Sequence, residues 1–357
     1  MARSRYVLPL LLVAPLCSAQ AQAVPVRAPG GTLTGLVQDS ASGRPVGYAL
    51  VVLGSPATRV FASEGGRFTL SGLVSGRTSI RIQQIGYRAE TLALEVDARA
   101  EAATGAPGLL VRLTRQVLVL PEIIVEGDVC AGGRERSGFV EDGLLGEVYQ
   151  NAERLLTLQV DYPFEETYQE ATTRFDSDAA LMGGRIDTGR YDSRRILRYE
   201  RGHVTVREGP LRVESALYFQ PSDLARTEFR RTHCFWFAGN DSVDGTTAYR
   251  FEFAPLKEVK SIDWAGSLLI DSASMVLVRS EAHLVNLSRK NSSFLSASCT
   301  LAYRQVVPTL VTPSQARCVS RHEGKPLFTT VARWVLINFR FLGRTPSGAD
   351  PPLDAPP

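Results

Sequence analysis

Short runs of alternating apolar and polar residues, separated by glycines, fill the stretch from Gly35 to Tyr87. It reads GLVQDSASGRPVGYALVVLGSPATRVFASEGGRFTLSGLVSGRTSIRIQQIGY. Alternation with a period of two predicts strands that bury one face, and Gly, Pro, Asp and Ser at the breaks predict tight turns. This part of the chain is therefore restricted to an architecture of short β-strands.

Seven strands are predicted in this N-terminal region, and so many short strands favour a β-sandwich. The turn Asp39–Pro45 has an aspartate that can accept hydrogen bonds from nearby backbone amides, and Ser63–Leu70 holds a tight hairpin with two glycines. The predicted strands are Thr32–Gln38, Gly47–Leu53, Arg59–Ser63, Arg67–Ser71, Arg77–Gln83, Ala89–Val96 and Leu109–Leu113.

The order of turn and core residues in residues 31–115 resembles the carboxypeptidase regulatory-like domain. That resemblance implies a transthyretin-like β-sandwich. In that family the module is a non-catalytic appendage, found beside zinc carboxypeptidases and ahead of TonB-dependent receptors, and it shares its fold with starch-binding modules. The residues that carry the resemblance are Gly35, Val37, Asp39, Gly43, Pro45, Val46, Ala49, Val51, Gly66, Phe68, Leu70, Gly72, Leu73, Gly76, Ile82, Ile85, Gly86 and Tyr87.

The N-terminus has the pattern of an export signal. A basic start, MARSR, precedes the short apolar run YVLPLLLVAPLC, and two overlapping AQA triplets follow. This pattern predicts a signal peptide over residues 1–21, with cleavage after Ala21 or Ala23. The apolar run is too short to span a membrane. We therefore expect a periplasmic or secreted protein with no transmembrane segment after cleavage, and association with the outer membrane stays open.

The number of cysteines fits an exported protein. Cleavage of the signal peptide removes Cys17 and leaves an even number of cysteines, which indicates disulfide bonds. The remaining cysteines are Cys130, Cys234, Cys299 and Cys318. A turn at Pro308-Thr309 predicts a hairpin that places Cys299 opposite Cys318, which leaves Cys130 to pair with Cys234 by elimination. Counting outward from the turn pairs Val307 with Leu310, Gln305 with Thr312, and Tyr303 with Gln315 or its neighbour. Pro313 indicates a bulge or an edge, because it has no amide proton for the ladder.

The rest of the chain is predicted to form a linker, a helix and a large sheet. Residues 116–139 contain the extended segment VLVLPEIIVEGD, and residues 140–342 hold the second domain. The Pro-rich residues 343–357 are predicted to be a disordered tail. The fold class is therefore mainly β: a seven-stranded sandwich, a linker, one amphipathic helix and a large antiparallel sheet.

The predicted helix, Val140–Gln159, has an apolar stripe with a period of 3.6 residues. Its polar face is acidic, with Glu147 and Glu153, so packing on a sheet is favoured over binding to a membrane surface. Asn240–Gly245 and Asp271–Ser274 are predicted hairpin turns. The hairpin from Asp263 to Leu284 resembles hairpins of periplasmic lipoprotein carriers, through Trp264, Gly266, Leu268, Ile270, Asp271, Leu277, Arg279 and Glu281.

Composition and motifs exclude several classes of function. A net charge of +3 does not favour nucleic acid as a partner. The four histidines form no H-x-x-E or H-x-x-x-H pair, and there is no C-x-x-C, no G-x-S-x-G turn and no P-loop. Asp241 and Asp244 are the best candidates for a calcium site, but two carboxylates are too few. We therefore predict no catalytic residues, metal or cofactor.

Three functions fit these observations. The first is a non-enzymatic envelope protein that binds or scaffolds through the sandwich and the large sheet, its partner being an unknown envelope protein or a glycan. The second is a carbohydrate-binding module, for which Tyr48, Phe61 and Tyr87 are the large aromatic residues available in the sandwich besides Phe68. The third is a hydrolase of unrecognised type that uses acidic residues of the second domain. For this alternative, strand alternation places Asp161 and Glu165 on one face and Glu166 and Glu170 on the other, although an exposed sheet face explains them more simply.

Overall fold

The computed structural model describes residues 26–29, 31–54, 58–97, 108–117, 143–195, 199–208, 213–288, 292–323 and 327–346. The predicted signal peptide, most of the predicted linker, Cys130 and residues 347–357 of the predicted tail lie outside the described residues. None of the helices in the described part of the chain is long and apolar enough to span a membrane.

All seven predicted strands of the N-terminal region are present, and an eighth precedes them. The extra strand, β1, pairs in parallel with β7. The sandwich consists of a five-stranded sheet in the order β1-β7-β6-β3-β4 and a three-stranded sheet in the order β5-β2-β8. The strands are β1 (Val26–Pro29), β2 (Gly31–Asp39), β3 (Leu50–Leu53), β4 (Thr58–Phe61), β5 (Arg67–Leu73), β6 (Gly76–Gln83), β7 (Glu90–Asp97) and β8 (Leu109–Leu113).

Asp39 organises the predicted turn after β2. Its Oδ1 accepts hydrogen bonds from the backbone amides of Ala41 and Ser42, and Gly43 takes a φ of 68°. Its Oδ2 accepts from the hydroxyl of Tyr87 and from Arg115, each at 3.0 Å. The hydrogen bonds from Ser42 hold the pKa of Asp39 well below its usual range. Two residues of the family-like pattern, Asp39 and Tyr87, are therefore joined to each other and stabilise the sandwich.

The predicted helix is present as α1 (Leu144–Asp161) and lies between the sandwich and the large sheet. Its apolar stripe, including Val148 and Leu155, packs on sheet residues such as Trp264. The predicted packing on the sheet is confirmed, but the helix is covered on its polar face as well, because Glu147 is fully buried. The sandwich covers that face: Leu158 at the end of the helix shares an apolar cluster with Phe61 of β4. Apolar residues that recur every 3.6 residues indicate one buried face of a helix, whereas this helix buries two faces.

The second domain is a nine-stranded antiparallel sheet in the order β10-β9-β19-β18-β17-β16-β15-β14-β13. A two-stranded ribbon, β11–β12, and a short helix, α2 (Thr227–Thr232), lie in the chain between β10 and β13. The strands are β9 (Phe164–Asp176), β10 (Leu181–Asp192), β11 (Thr205–Glu208), β12 (Val213–Ala216), β13 (His233–Val243), β14 (Thr246–Pro255), β15 (Asp263–Asp271), β16 (Leu277–Val285), β17 (Phe294–Val307), β18 (Leu310–His322) and β19 (Phe328–Phe341).

Both predicted hairpin turns of the large sheet are present. Asp244 and Gly245 link β13 to β14 with positive φ angles of 50° and 82°. Asp271 at the next turn accepts hydrogen bonds from the amide and hydroxyl of Ser274. Gly266 in β15 has a separate role, because a Cβ there would lie 2.0 Å from the carbonyl oxygen of Glu281 on β16. That glycine therefore allows close approach of the two strands.

The disulfide between Cys299 and Cys318 is confirmed, with a Cα–Cα distance of 4.1 Å. The predicted turn at Pro308-Thr309 is also present, but the predicted pairing of Gln305 with Thr312 was wrong. Two register shifts explain the difference, one between Gln305 and Val307 and one between Ala302 and Tyr303, opposite Pro313. Each strand contributes one extra residue, so the shifts cancel and Cys299 again faces Cys318. Tyr303 pairs with Pro313 instead of Gln315.

Cys234 at the start of β13 is also disulfide-bonded. Its predicted partner, Cys130, lies outside the described residues, so the pairing of Cys130 with Cys234 stays a prediction.

We predict that replacing both Cys299 and Cys318 with serine lowers the free energy of unfolding by about 2–3 kcal/mol, because closing a loop of this size restricts the unfolded chain. Urea denaturation of the variant and the wild type under oxidising conditions measures the difference. A reductant should destabilise the wild type more than the variant. Equal stability of the two proteins would contradict the prediction.

Candidate functional site

Alternate residues of β9 line a cavity of about 100 Å³ on one face of the large sheet. These are Phe164, Glu166, Tyr168 and Glu170. The neighbouring strands add residues directly opposite them: Tyr191 of β10 pairs with Glu166, and Trp334 of β19 pairs with Glu170. The lining also includes three residues with polar side-chain atoms: Gln159, Tyr218 and Thr312. We call this space the aromatic cavity.

The ring of Tyr168 lies across the backbone of β10. It faces Gly189, where a Cβ would come within 2.4 Å of the Tyr168 ring carbon Cζ. The ring centroids of Tyr168 and Trp334 are 5.8 Å apart, and the planes make an angle of 48°. Because a side chain at Gly189 would displace Tyr168, this glycine positions one wall of the aromatic cavity.

Glu166 supplies a buried carboxyl group to the aromatic cavity. Its side chain is 6% exposed, and the hydroxyl of Thr312 donates a hydrogen bond to Oε1. Burial raises the pKa of Glu166 to about 7, and Thr312 and the nearby Arg304 oppose the increase only in part. Near neutral pH the carboxyl group therefore exchanges between a protonated donor and an ionised acceptor.

Gln159 reaches the same cavity from the last turn of α1. The residue is 3% exposed, and its Oε1 atom is buried and has no hydrogen-bond partner among the described residues. A buried carbonyl oxygen without a donor costs free energy, which a ligand with a suitable hydroxyl or amide would recover. The amide of Gln159 is therefore the second polar group of the aromatic cavity.

A second cavity of about 230 Å³ continues from the first along the sheet. Glu170 and Tyr218 line both spaces. The second cavity, here the outer groove, is more polar: Arg174, Arg185 and His322 line it, as does the Cys299–Cys318 disulfide. Burial and the charge of Arg174 lower the pKa of His322. Its ring stacks on Phe328 with centroids 4.7 Å apart.

The acidic residues named from the sequence are divided between two sites. Glu166 and Glu170 share one face of β9, as strand alternation predicts, and both line the aromatic cavity. Glu165 points to the opposite face, where Arg340 contacts it at 2.9 Å. The prediction for Asp161 was wrong, because this residue ends α1 and is not in a strand. An exposed sheet face does not explain Glu166, because the cavity buries it.

The aromatic residues proposed as a sugar platform in the sandwich are buried. Tyr48, Phe61 and Tyr87 are 6%, 5% and 9% exposed. Phe61 packs on Tyr162 just beyond α1, and Tyr87 donates its hydroxyl proton to Asp39. None of the three can present a ring face to a sugar, so the carbohydrate-binding interpretation loses its place in the sandwich.

The remaining candidates have protein partners. Asp241 forms an ion pair with Arg250 at 2.6 Å, and Asp244 contacts Arg279 at 3.5 Å. No group of three His, Cys, Asp or Glu residues that could hold a metal ion occurs in the described part of the chain. His233 is buried, and the carbonyl oxygen of Trp264 lies 3.0 Å from its Nε2.

The aromatic residues were not predicted as part of a site. Phe164, Glu166, Tyr168 and Glu170 alternate along the sequence FEETYQE, a signal for one lined sheet face. Nothing in the sequence indicated that Gln159, Tyr191, Tyr218 and Trp334 meet there, since they belong to four other segments.

Comparison with known protein families gives a match for the N-terminal part of the chain. Residues 32–105 match the model of the carboxypeptidase regulatory-like domain. The N-terminal sandwich is a carboxypeptidase regulatory-like domain. The resemblance read from Gly35, Asp39 and the Ile85-Gly86-Tyr87 end of the pattern is thus confirmed. The match covers only the sandwich and leaves the domain that holds the aromatic cavity unassigned. A search of curated protein sequences finds no match to the chain.

A search of solved structures finds weak similarities to proteins from several bacteria. A DUF1329 family protein from Desulfovibrio piger shares 11% identity over 56% of this chain and 94% of its own, with a TM-score of 0.32. A candidate outer membrane lipoprotein-sorting protein domain from Vibrio parahaemolyticus shares 12% identity over 55% of this chain and 93% of its own, with a TM-score of 0.30. A LolA superfamily protein from Nitrosomonas europaea shares 14% identity over 56% of this chain and 94% of its own, with a TM-score of 0.27. Similarities this weak leave the function of this chain open.

Proposed function

We propose that this chain is a non-enzymatic, exported envelope protein that binds a ligand in the aromatic cavity of its large sheet. The observation that carries the proposal is the meeting of ring faces and buried polar groups in one concave space. Tyr168 and Trp334 form apolar walls, and Gln159 and Glu166 supply buried polar atoms. Apolar walls with a few convergent polar groups are typical of binding sites for small molecules.

The sandwich acts in this proposal as a scaffold for the binding domain. Arg154 of α1 donates hydrogen bonds to the carbonyl of Tyr48 in the sandwich and to the hydroxyl of Thr309 between β17 and β18. Gln159 lies just over one turn further along the same helix and lines the cavity. A helix held from both sides fixes the position of Gln159, which supports a preformed site.

Export is the part of the proposal that rests on the sequence. The predicted signal peptide over residues 1–21 and the Cys299–Cys318 disulfide both fit an oxidising compartment outside the cytoplasm. Comparing the mass of the protein purified from periplasmic extract with that of the full chain would test cleavage after Ala21 or Ala23.

A hydrolase is the second candidate, and one observation favours it. Glu166 and Glu170 line the same cavity, and glycosidases use two carboxyl groups of unequal pKa. The raised pKa of Glu166 is also typical of a general acid. Binding remains our proposal because burial in the cavity explains the raised pKa of Glu166 without any catalytic role.

The test of the proposal is a change in unfolding temperature with a defined set of probes. The mature protein would be heated with soluble oligosaccharides, palmitate and dodecylphosphocholine, each in separate titrations. We expect at least one probe to stabilise the wild type, since a ligand at 100 times its Kd contributes about 2.7 kcal/mol.

The matched pair of variants for this test is Trp334→Ala and Val335→Ala. Val335 is 51% exposed and points away from the cavity, next to Trp334 in β19. Stabilisation that is lost in Trp334→Ala and kept in Val335→Ala supports the proposal. Stabilisation kept in both, or no stabilisation by any probe, contradicts it. If the protein releases shorter oligosaccharides and this activity requires Glu166, the protein is a hydrolase and the binding proposal is wrong.

A further inference from the structure

The polar side chains that line the aromatic cavity receive few hydrogen bonds from the described part of the chain. Oε1 of Gln159 is buried without a partner, and Glu166 receives a hydrogen bond from Thr312 alone in its described surroundings. A ligand that fills the cavity therefore gains most if it brings hydroxyl or amide protons to these two side chains. An alkyl chain brings none and would leave Gln159 unsatisfied at a cost in affinity.

The walls of the cavity set the second requirement. Tyr168 and Trp334 present ring surfaces at an angle of 48°, and Tyr191 and Tyr218 also line the space. Tyr218 is 41% exposed, so part of its ring is open to solvent where the two cavities meet. The ligand must therefore carry apolar C–H surface as well as hydroxyl groups, and it must be compact enough to lie against the rings.

We propose that the aromatic cavity binds a saccharide, with the C–H face of a sugar ring against Tyr168 and Trp334 and its hydroxyl groups donating to Gln159 and Glu166. This proposal rests on the proposed function and names the ligand class for the same site. A sugar ring combines both requirements, since one face is rich in C–H groups and its edge is rich in hydroxyls. The carbohydrate interpretation thus has its place in the large sheet instead of the sandwich.

The outer groove indicates an oligosaccharide. Beyond Tyr218 the lining includes Thr172, Ser320 and Thr330, along with the charged Arg174 and Arg185. Side chains of this kind exchange hydrogen bonds with hydroxyl groups. The groove is continuous with the aromatic cavity through Glu170 and Tyr218, so a second and third sugar unit can extend along the sheet. We expect affinity to increase with chain length from one to several sugar units.

Binding of fluorescently labelled glycans on an array, followed by isothermal titration calorimetry with the soluble oligosaccharide that binds, tests the proposal on the mature full chain. Palmitate and dodecylphosphocholine are titrated in parallel. We expect an oligosaccharide to bind, and Trp334→Ala to weaken it at least about tenfold, the equivalent of about 1.4 kcal/mol. Val335→Ala should leave the affinity unchanged.

The variant Gln159→Leu distinguishes binding of a saccharide from binding of an apolar ligand. The substitution removes the unsatisfied carbonyl oxygen and keeps a similar volume, so the fold is expected to tolerate it. Loss of oligosaccharide binding in this variant supports the proposal. Gly189→Ala is a second variant, expected to weaken binding by displacing Tyr168 without removing any ring. Far-ultraviolet circular dichroism of each variant confirms that it folds.

Three outcomes would overturn the proposal that the ligand is a saccharide. If no glycan binds and palmitate or dodecylphosphocholine does, with loss in Trp334→Ala and equal or tighter binding in Gln159→Leu, the ligand is apolar and the cavity remains a binding site. If neither class binds, the saccharide and the proposed function are both wrong. Binding of a glycan that survives Trp334→Ala, Gln159→Leu and Gly189→Ala places the sugar elsewhere on the protein, which also overturns the proposal.

Discussion

Replacing Arg154 with alanine is expected to lower the free energy of unfolding by about 3–5 kcal/mol. The guanidinium group is 1% exposed and lies between the two domains. Its Nη2 donates to the carbonyl of Tyr48 at 2.7 Å and to the hydroxyl of Thr309 at 2.6 Å, and the group lies 5.1 Å from the ring centre of Phe61. The alanine leaves these acceptors without a donor, and it leaves a cavity at the centre of the interface.

The charge environment of Arg154 increases this effect. Burial lowers the pKa of Arg154 to about 9, and the nearby carboxylates Glu147 and Glu153 favour its charged form. Removing the cation leaves Glu147 buried without the charge of Arg154, which lowers the pKa of Glu147. Removing one of two interacting buried charges is destabilising even where the intact pair contributes little.

Urea denaturation of Arg154→Ala, Arg317→Ala and the wild type measures the effect. Arg317 is exposed on β18, so its replacement is expected to change stability by no more than about 0.5 kcal/mol. The double variant Arg154→Met and Glu147→Gln replaces both charges with groups of similar size and should recover most of the loss. A loss below about 1 kcal/mol in Arg154→Ala would show that the interface does not depend on this residue.

The helix that carries Arg154 shows how far sequence periodicity extends. The stripe through Leu144, Val148 and Leu155 identified the helix and its face toward the sheet, and these side chains are buried as predicted. The same periodicity gave no sign that the polar face with Glu147 is also packed, because one apolar stripe indicates only one packed face. Polar side chains can also be buried where a second domain brings partners, and the sandwich does this through the amide of Gly86.

The large sheet shows the same limit in its register. The turn at Pro308-Thr309 and the pairing of Cys299 with Cys318 followed from counting along one hairpin, because local sequence sets a hairpin's register. The pairs between these points were wrong by one or two residues, because two bulges with opposite effects leave both ends in place. Pro313 indicated one bulge, since it lacks an amide proton for the ladder. Nothing in the sequence indicated the other.

The candidate site was predicted only where it is local. Glu166 and Glu170 share a face because they are four residues apart in one strand. Trp334 pairs with Glu170 across β9 and β19, which are separated by most of the second domain. Because such pairings depend on the order of strands in the sheet, hydrophobic alternation in one strand carries no information about them. The sequence therefore predicted the two carboxyl groups and missed the rings around them.

The stability of the protein is expected to fall as pH rises from about 4.5 to 8, and Glu147 is expected to cause part of the fall. Burial raises the pKa of Glu147 from its ordinary value of 4.5 to about 7 in the folded chain, although the amide of Gly86 and the charge of Arg154 oppose the increase. Between these two values the folded state binds more protons than the unfolded state. The contribution is therefore fully present below pH 4.5 and is lost as pH rises through 7.

The size of this contribution follows from the difference in pKa. A difference of about 2.5 pKa units at 1.36 kcal/mol per unit gives about 3 kcal/mol. Glu147→Gln cannot ionise, so it should lose none of this energy at high pH. The free energy of unfolding of the variant, relative to wild type, is expected to rise by about 3 kcal/mol between pH 4.5 and pH 8. Other groups with raised pKa values, such as Glu166, are present in both proteins and cancel.

Urea denaturation at half-unit steps of pH measures the two curves. Glu90→Gln, at an exposed position on β7, is the control for the loss of one carboxylate. Glu147→Gln keeps an oxygen that can accept from Gly86, so the comparison isolates the charge from the hydrogen bond. Curves for Glu147→Gln and wild type that stay parallel over this range would mean that Glu147 is not held protonated at the interface. Curves that converge instead of separating as pH rises would mean that Arg154 stabilises the ionised carboxylate more than burial destabilises it.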